Sequence, residues 1–188
     1  MLGLWDMSSL PAPRPHRWTR DSYEKLLDSG ALGPEDRVQL IDGDILEMSP
    51  EKSRHAATVE LVAEALRGVF SAGYAVRVQH PLALSARSEP EPDVAVVLGS
   101  HRDYLDRHPE TALLVVEVAD SSLQLDQGPK LRLYAEVGIP TYWIVNLQQK
   151  IIEVYESPAG GLYRIRRLFQ EGEVPVSTRT VAVADIIA

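Results

Sequence analysis

Leu113-Leu114-Val115-Val116-Glu117-Val118-Ala119 is the stretch that decides how this chain folds. A nearly continuous apolar run of this length reads as a strand buried on both faces, as in a sheet covered by helices. Glu117 sits in the middle of it. A carboxylate in such surroundings costs several kcal/mol unless it is paired, hydrogen-bonded or bound to a cation. An ion pair with Arg132 or Arg77 would satisfy it, and so would a metal.

Two neighbouring segments bear on that choice. Upstream, Glu89-Pro90-Glu91-Pro92 leads into Asp93, which opens the apolar strand Val94–Val97. The prolines stiffen the approach, and an aspartate after proline is also a common turn former. Downstream, Asp126-Gln127-Gly128-Pro129-Lys130 reads as a helix start, with Asp126 as the cap and proline in the first turn. Lys130 then stands near the positive end of the helix dipole, at a small penalty that a functional role would justify. It precedes Leu133 and Tyr134 by three and four residues, which places it on the face turned to the sheet. The plainer use of such a lysine is to pair with Asp126 while its stem lies along apolar surface. Two acids on neighbouring strands and an inward lysine together make a hydrolytic site. The acids would hold Mg²⁺ or Mn²⁺, and the lysine would orient water and offset charge developing on a phosphate.

The rest of the chain supplies a scaffold. Thr19 predicts a capped helix ending at Gly30, and Asp42-Gly43 predicts a tight hairpin within Arg37–Met48. Val59, Val62, Ala63, Leu66, Val69 and Phe70 recur at helical spacing, so a helix is expected over about 55–71. Strands are expected over 74–84, 93–98, 113–119, 141–147, 150–156 and 162–169, with one helix over 127–137. The fold class is therefore α+β: a mixed β-sheet flanked by helices in the core order α-β-β-β-α-β, with extra antiparallel strands. Residues 1–18, proline-rich over 11–15, form an extended lead-in, and 19–188 form a single domain.

Composition narrows the chemistry. The chain has 188 residues, no cysteine, and 19 basic against 27 acidic residues, a formal charge of −8. The absence of cysteine removes thiolate metal sites and cysteine nucleophiles, leaving oxygen and imidazole ligands. The acidic balance opposes indiscriminate binding to a phosphate backbone and leaves room only for a local basic groove. Arg164 and Arg166 share one strand face but read chiefly as solvated, and His101 and His108 match no strong metal spacing. With no apolar run of membrane-spanning length and no signal-peptide pattern at the start, a cytoplasmic protein without a membrane partner is expected.

The runs Glu89-Pro-Glu-Pro-Asp93-Val, Leu-Leu-Val-Val-Glu117-Val-Ala-Asp-Ser-Ser-Leu, Asp126 with Lys130-Leu-Arg-Leu-Tyr-Ala, and Gly138-Ile-Pro-Thr-Tyr-Trp143-Ile-Val resemble the Uma family of the PD-(D/E)XK nuclease superfamily. The resemblance runs from the Ile41-Asp-Gly hairpin through Pro158. It implies a restriction-endonuclease-like fold and a metal-dependent endonuclease hydrolysing DNA phosphodiester bonds. Asp93, Glu117 and Lys130 would be the catalytic residues, and Asp93, Glu117 and the main-chain carbonyl of Val118 the ligands of Mg²⁺ or Mn²⁺. It implies nucleic acid, DNA first, as partner, and a homodimer. Position 119 is Ala where the superfamily motif carries lysine, and the family pattern supplies that lysine from the next helix, at Lys130. Gln39 stands where similar sequences often carry Glu. The alternatives are a catalytically inactive binding or regulatory module, favoured by Gln39 and the acidic charge, and a phosphodiesterase directed at RNA. His55 lies on the Val59 and Val62 side of its helix, near enough to approach the site, although a structural histidine is the simpler reading.

Overall fold

The structure is a computed structural model that describes residues 14–33, 35–176 and 179–187. Most of the expected lead-in, residues 1–13, lies outside the described residues. Its remainder is neither helix nor strand, and the Trp18 N–H donates to the Gly43 carbonyl at 2.9 Å.

Thr19 caps α1 (Arg20–Asp28) as expected, its hydroxyl accepting from the Ser22 N–H at 3.2 Å. The hairpin β1 (Val38–Ile41) and β2 (Asp44–Glu47) turns at Asp42 and Gly43, both with positive φ. That is the turn geometry whose twist matches antiparallel strands, and Asp-Gly is suited to it. Next comes α2 (Ser53–Val69), which buries Val59, Val62, Ala63 and Leu66 on one stripe.

The central sheet has six strands in spatial order β3-β4-β5-β6-β7-β8. They are β3 (Tyr74–Val78), β4 (Val94–Leu98), β5 (Leu114–Ala119), β6 (Thr141–Asn146), β7 (Ile151–Ala159) and β8 (Leu162–Phe169). Only β5 and β6 pair in parallel, and the helical segment between them provides the crossover that a parallel pair requires. All six residues of β5 are buried, which is the consequence of its unbroken apolar run. One apolar layer lies between the sheet and α2, and the other packs Tyr134, Ile139 and Tyr142 against the opposite face. This is the expected α+β architecture, a mixed sheet flanked by helices.

Three expectations need correction. The strand expected over 74–84 ends at Val78, because Gln79 takes positive φ and the chain leaves the sheet. Helical structure between β5 and β6 begins earlier than Asp126, as α3 (Leu123–Leu125), passes through a π turn at Asp126–Lys130 and continues as α4 (Leu131–Glu136). Asp126 is therefore not the cap, and Lys130 does not sit in the first turn. Pro129 explains the wide turn: with no N–H and a ring that crowds the preceding turn, it is accommodated by locally loosening the ladder. Beyond β8, β9 (Glu173–Val176) and β10 (Arg179–Ala182) form a hairpin that adds Val174, Val176 and Val181 to the layer under α2.

Glu89 pins the loop before β4 to the hairpin, its main chain exchanging hydrogen bonds with Leu40 at 3.2 and 2.8 Å. Its carboxyl is buried, Oε2 has no hydrogen-bond partner, and Arg20 Nε is 4.0 Å away. Burial, and next the charge of Glu24, push this carboxyl up to about 7. A carboxyl held above its unfolded value binds its proton more tightly in the fold, so its stabilising effect is complete below about 4.5 and is lost as pH rises through 7. Glu89→Gln is therefore expected to raise stability by about 1–2 kcal/mol at pH 8 and to have no such benefit at pH 4. Urea denaturation at the two pH values checks it; an equal effect at both would mean that ionisation of Glu89 is not what the substitution relieves.

Candidate active site

Asp93, Glu117 and Lys130 line one cavity of about 380 Å³. Its walls come from the end of the β1–β2 hairpin, the start of α2, the strand ends of the central sheet and the π turn. Glu117 reaches it from the middle of β5 and is only 3% exposed. Its partner is neither Arg132 nor Arg77. Lys130 Nζ lies 2.9 Å from Glu117 Oε1, and the Tyr134 hydroxyl donates to the same oxygen at 2.7 Å. Arg132 instead stands exposed near Glu136 and Asp42.

The π turn directs Lys130 inward, where it is 4% exposed. Asp126, one turn earlier, is buried and lies 3.8 Å from Lys130 Nζ, while accepting from the Ser122 hydroxyl at 2.5 Å. The lysine thus lies between two buried acids. Burial raises the Glu117 carboxyl to about 8, against the opposing field of Lys130, with Asp126 and Asp93 adding to the rise. Burial alone would lower Lys130, but the fields of Glu117, Asp126 and Asp93 outweigh it and hold the ammonium above its ordinary value.

Asp93 stands just before β4 and is fixed by the strand beside it: its Oδ2 accepts from the Val118 N–H at 2.7 Å. That bond brings the Val118 main chain against the Asp93 carboxylate. His55, in the first turn of α2, approaches from the other side, its Nε2 3.3 Å from Asp93 Oδ2 and its Nδ1 3.2 Å from Glu51 Oε1. Burial opposes a charge on His55, yet Asp93 and Glu51 prevail and raise its pKa. Glu51, His55 and Asp93 each offer a ligand atom, all within 4.8 Å of one another, a set that could hold a metal ion.

With this geometry in place, comparison with known proteins is informative. The model of the Uma2 family, described as "Putative restriction endonuclease", matches residues 20–186. The chain belongs to this family. Among solved structures, the Uma2 chain is similar to one described as "a putative nuclease belonging to DUF820" from Anabaena variabilis ATCC 29413, with a TM-score of 0.70 and 14% identity over 90% of this chain and 97% of that one. At that identity the likeness establishes a shared fold and no more. A search of curated proteins found no match.

The Uma2 chain carries site features that sequence reasoning missed. Glu51 and Glu91 line the cavity, and neither lies in an apolar strand where a misplaced charge would draw attention. The helical spacing of His55 with Val59 and Val62 was the available signal for its inward position. Gln39 lines the same cavity, buried in β1, with its Oε1 3.4 Å from the Glu91 N–H. The arginines of β8 take other partners: Arg166 binds the buried Glu153 at 2.8 Å, and Arg167 pairs with Glu156. Tyr142 and Trp143 of the Uma2 chain are wholly buried and belong to the core.

Proposed function

We propose that the protein is a divalent-metal-dependent endonuclease that hydrolyses phosphodiester bonds of DNA. One observation carries the reading: a buried ammonium, Lys130, contacts the buried carboxyl group of Glu117 in the cavity that also receives Asp93. In this reading Asp93, Glu117 and the Val118 carbonyl hold Mg²⁺ or Mn²⁺. The donor set suits a hard cation, being all oxygen. Asp93 Oδ1 has no hydrogen-bond partner among the described residues, whereas Oδ2 is engaged by Val118 and His55. Burial that keeps Glu117 protonated in the metal-free protein is what a bound cation would offset.

When bound, the metal would supply Lewis-acid stabilisation of charge on the phosphate and a lowered pKa for a coordinated water. The chain's own residues do the rest. Lys130 presents N–H donors that orient a water toward phosphorus and oppose the negative charge that builds there. Tyr134 fixes the Glu117 carboxylate through its hydroxyl, and Asp126 holds the lysine from its far side. His55, between Glu51 and Asp93, is placed to take or return a proton at the cavity wall.

The same reading takes the enzyme to be a cytoplasmic homodimer. The edge strand β8, where Leu162 and Leu168 are exposed, supports a dimer contact. Plasmid nicking with Mg²⁺ or Mn²⁺ tests the activity. Wild-type nicking that disappears in both Asp93→Ala and Glu117→Ala is expected; nicking that survives in both removes this centre as its source. Failure of the wild type to nick, together with no Glu117-dependent metal binding by calorimetry, would favour a catalytically silent binding module. Cleavage of RNA but not DNA would reassign the substrate.

A further inference from the structure

A second polar feature lies outside the carboxylate cavity. Arg77, on the edge strand β3, is 7% exposed, and its Nε is buried without a hydrogen-bond partner. Its guanidinium has no carboxylate partner among the described residues. Its one specific contact is the ring of Tyr104, 5.5 Å from the guanidinium carbon to the centroid. Tyr104 is itself anchored by its hydroxyl to the Leu98 carbonyl at 2.6 Å. An arginine whose Nε is buried against an aromatic face with no acceptor is an unusual investment for a chain with a net charge of −8.

Two histidines, both neutral rings near pH 7, stand close to it. His80 follows Arg77 just past the end of β3, and the loop carrying His108 is tied nearby by the Ala83 N–H to the Pro109 carbonyl at 2.8 Å. Both imidazoles are exposed. Burial first, and then the charge of Arg77, hold both below their ordinary values, so the guanidinium field reaches both rings. Arg20 adds to the field at His108 and His101 to that at His80. The acid whose charge reaches His108 is Glu24, which is already engaged with Arg20 at 3.3 Å.

We infer that Arg77, framed by His80 and His108, is a binding site for a phosphate-type oxyanion, separate from the Asp93, Glu117 and Lys130 cavity. Arginine presents a planar fork that matches two oxygens of such a group, and Tyr104 holds that fork in one plane. Partial burial strengthens the contact by excluding water. The oxyanion has two sources with the same chemistry, a free phosphate or a phosphodiester of a nucleic acid. The second has a geometric basis. Arg77 alternates with Ala75 and opposes Ala95, both in the apolar layer that flanks Glu117, so it shares a sheet face with that residue. Two residues further along, where the chain leaves the sheet, Gln79 lines the carboxylate cavity.

The test is thermal unfolding of the full chain with increasing inorganic phosphate, held at constant ionic strength with chloride, for wild type, Arg77→Met and Glu117→Gln. Met keeps most of the apolar stem and removes the donors. Phosphate is expected to raise the melting temperature of wild type and of Glu117→Gln alike, which separates this site from the proposed metal centre. In Arg77→Met the apparent phosphate affinity is expected to fall about tenfold or more. A second measurement on wild type, the NMR resonances of the Arg77 side-chain N–H and of His80 and His108 under the same titration, does not depend on the variant folding. Movement of these resonances supports the site. Equal phosphate stabilisation of wild type and folded Arg77→Met, or resonances that do not move, overturns it. A fluorescent DNA duplex then distinguishes the sources: weaker binding by Arg77→Met assigns the oxyanion to nucleic acid, and unchanged binding with a lost phosphate response assigns it to free phosphate.

Discussion

Lys130→Met is expected to destabilise the metal-free protein by about 3–5 kcal/mol at pH 9, the cost of removing one partner from a buried ion pair, and by much less at pH 6. The ammonium is 2.9 Å from Glu117 and 3.8 Å from Asp126, and its field also reaches Asp93. Methionine of similar length would fill the space and leave three carboxyl groups facing one another without that cation. Glu117 is already raised to about 8 and Asp126 is raised as well, burial being the first cause in both, so loss of the opposing charge moves both further upward. For a carboxyl whose folded value exceeds its unfolded one, stability is complete below the unfolded value and declines as pH rises through the folded one. Both proteins lose stability alike while Glu117 is protonated in each, so the deficit of the variant widens as pH rises through about 8, where the wild-type carboxyl ionises and that of the variant does not. Urea denaturation of both proteins at pH 6 and pH 9 measures this. A deficit independent of pH would mean that Lys130 contributes packing rather than charge.

The central fold was legible because its signals are local and redundant. The run around Glu117 can only be an interior strand, Asp42-Gly43 can only be a tight turn between short strands, and the α2 stripe needs a sheet to cover. What was misread depends on tertiary context. Leu82, Ala83 and Leu84 resume the apolar pattern beyond Val78, but Gln79 takes positive φ and turns the chain away. The start of the helix before β6 was hidden because Asp126 and Pro129 imitate a cap and a first turn. In the fold they belong to a π turn three residues downstream of the real start. The β9–β10 hairpin has strands of only four residues, one of them interrupted by Pro175, and it forms because α2 leaves apolar surface for Val174, Val176 and Val181 to cover.

The candidate site was half legible for a related reason. Asp93 and Glu117 stand out because a charge inside an apolar strand is expensive, and Lys130 because of its place relative to Leu133 and Tyr134. Glu51 and Glu91 lacked any comparable contrast. Glu51 lies in an irregular segment and reaches the cavity only because α2 begins beside Asp93. The alternation of β3 marks Arg77 as inward on the same face as Ala75, but nothing in the sequence indicates that no acid will meet it there. Pairing between distant segments is a property of the assembled sheet, and this is where sequence reading stops.

Glu117→Gln is expected to separate activity from stability. If cleavage uses this centre, replacing one of its two acids by an amide removes both a metal ligand and a negative charge, and nicking should fall by about 10³-fold, the scale of losing a preorganised charged contact at a reacting group. Folding should change by only about 1 kcal/mol at pH 7, because a carboxyl raised to about 8 is largely protonated there and a neutral amide has nearly its shape. The amide oxygen can still accept from the Tyr134 hydroxyl, and Lys130 keeps Asp126 as a partner. Calorimetry with Mn²⁺ on the same variant should give affinity at least about tenfold weaker, as expected when a direct ligand is lost rather than its support. This combination distinguishes a working centre from a buried acid that merely balances a buried lysine. A variant that is folded, binds Mn²⁺ like wild type and nicks like wild type would leave Glu117 as a structural partner of Lys130 and place the chemistry elsewhere.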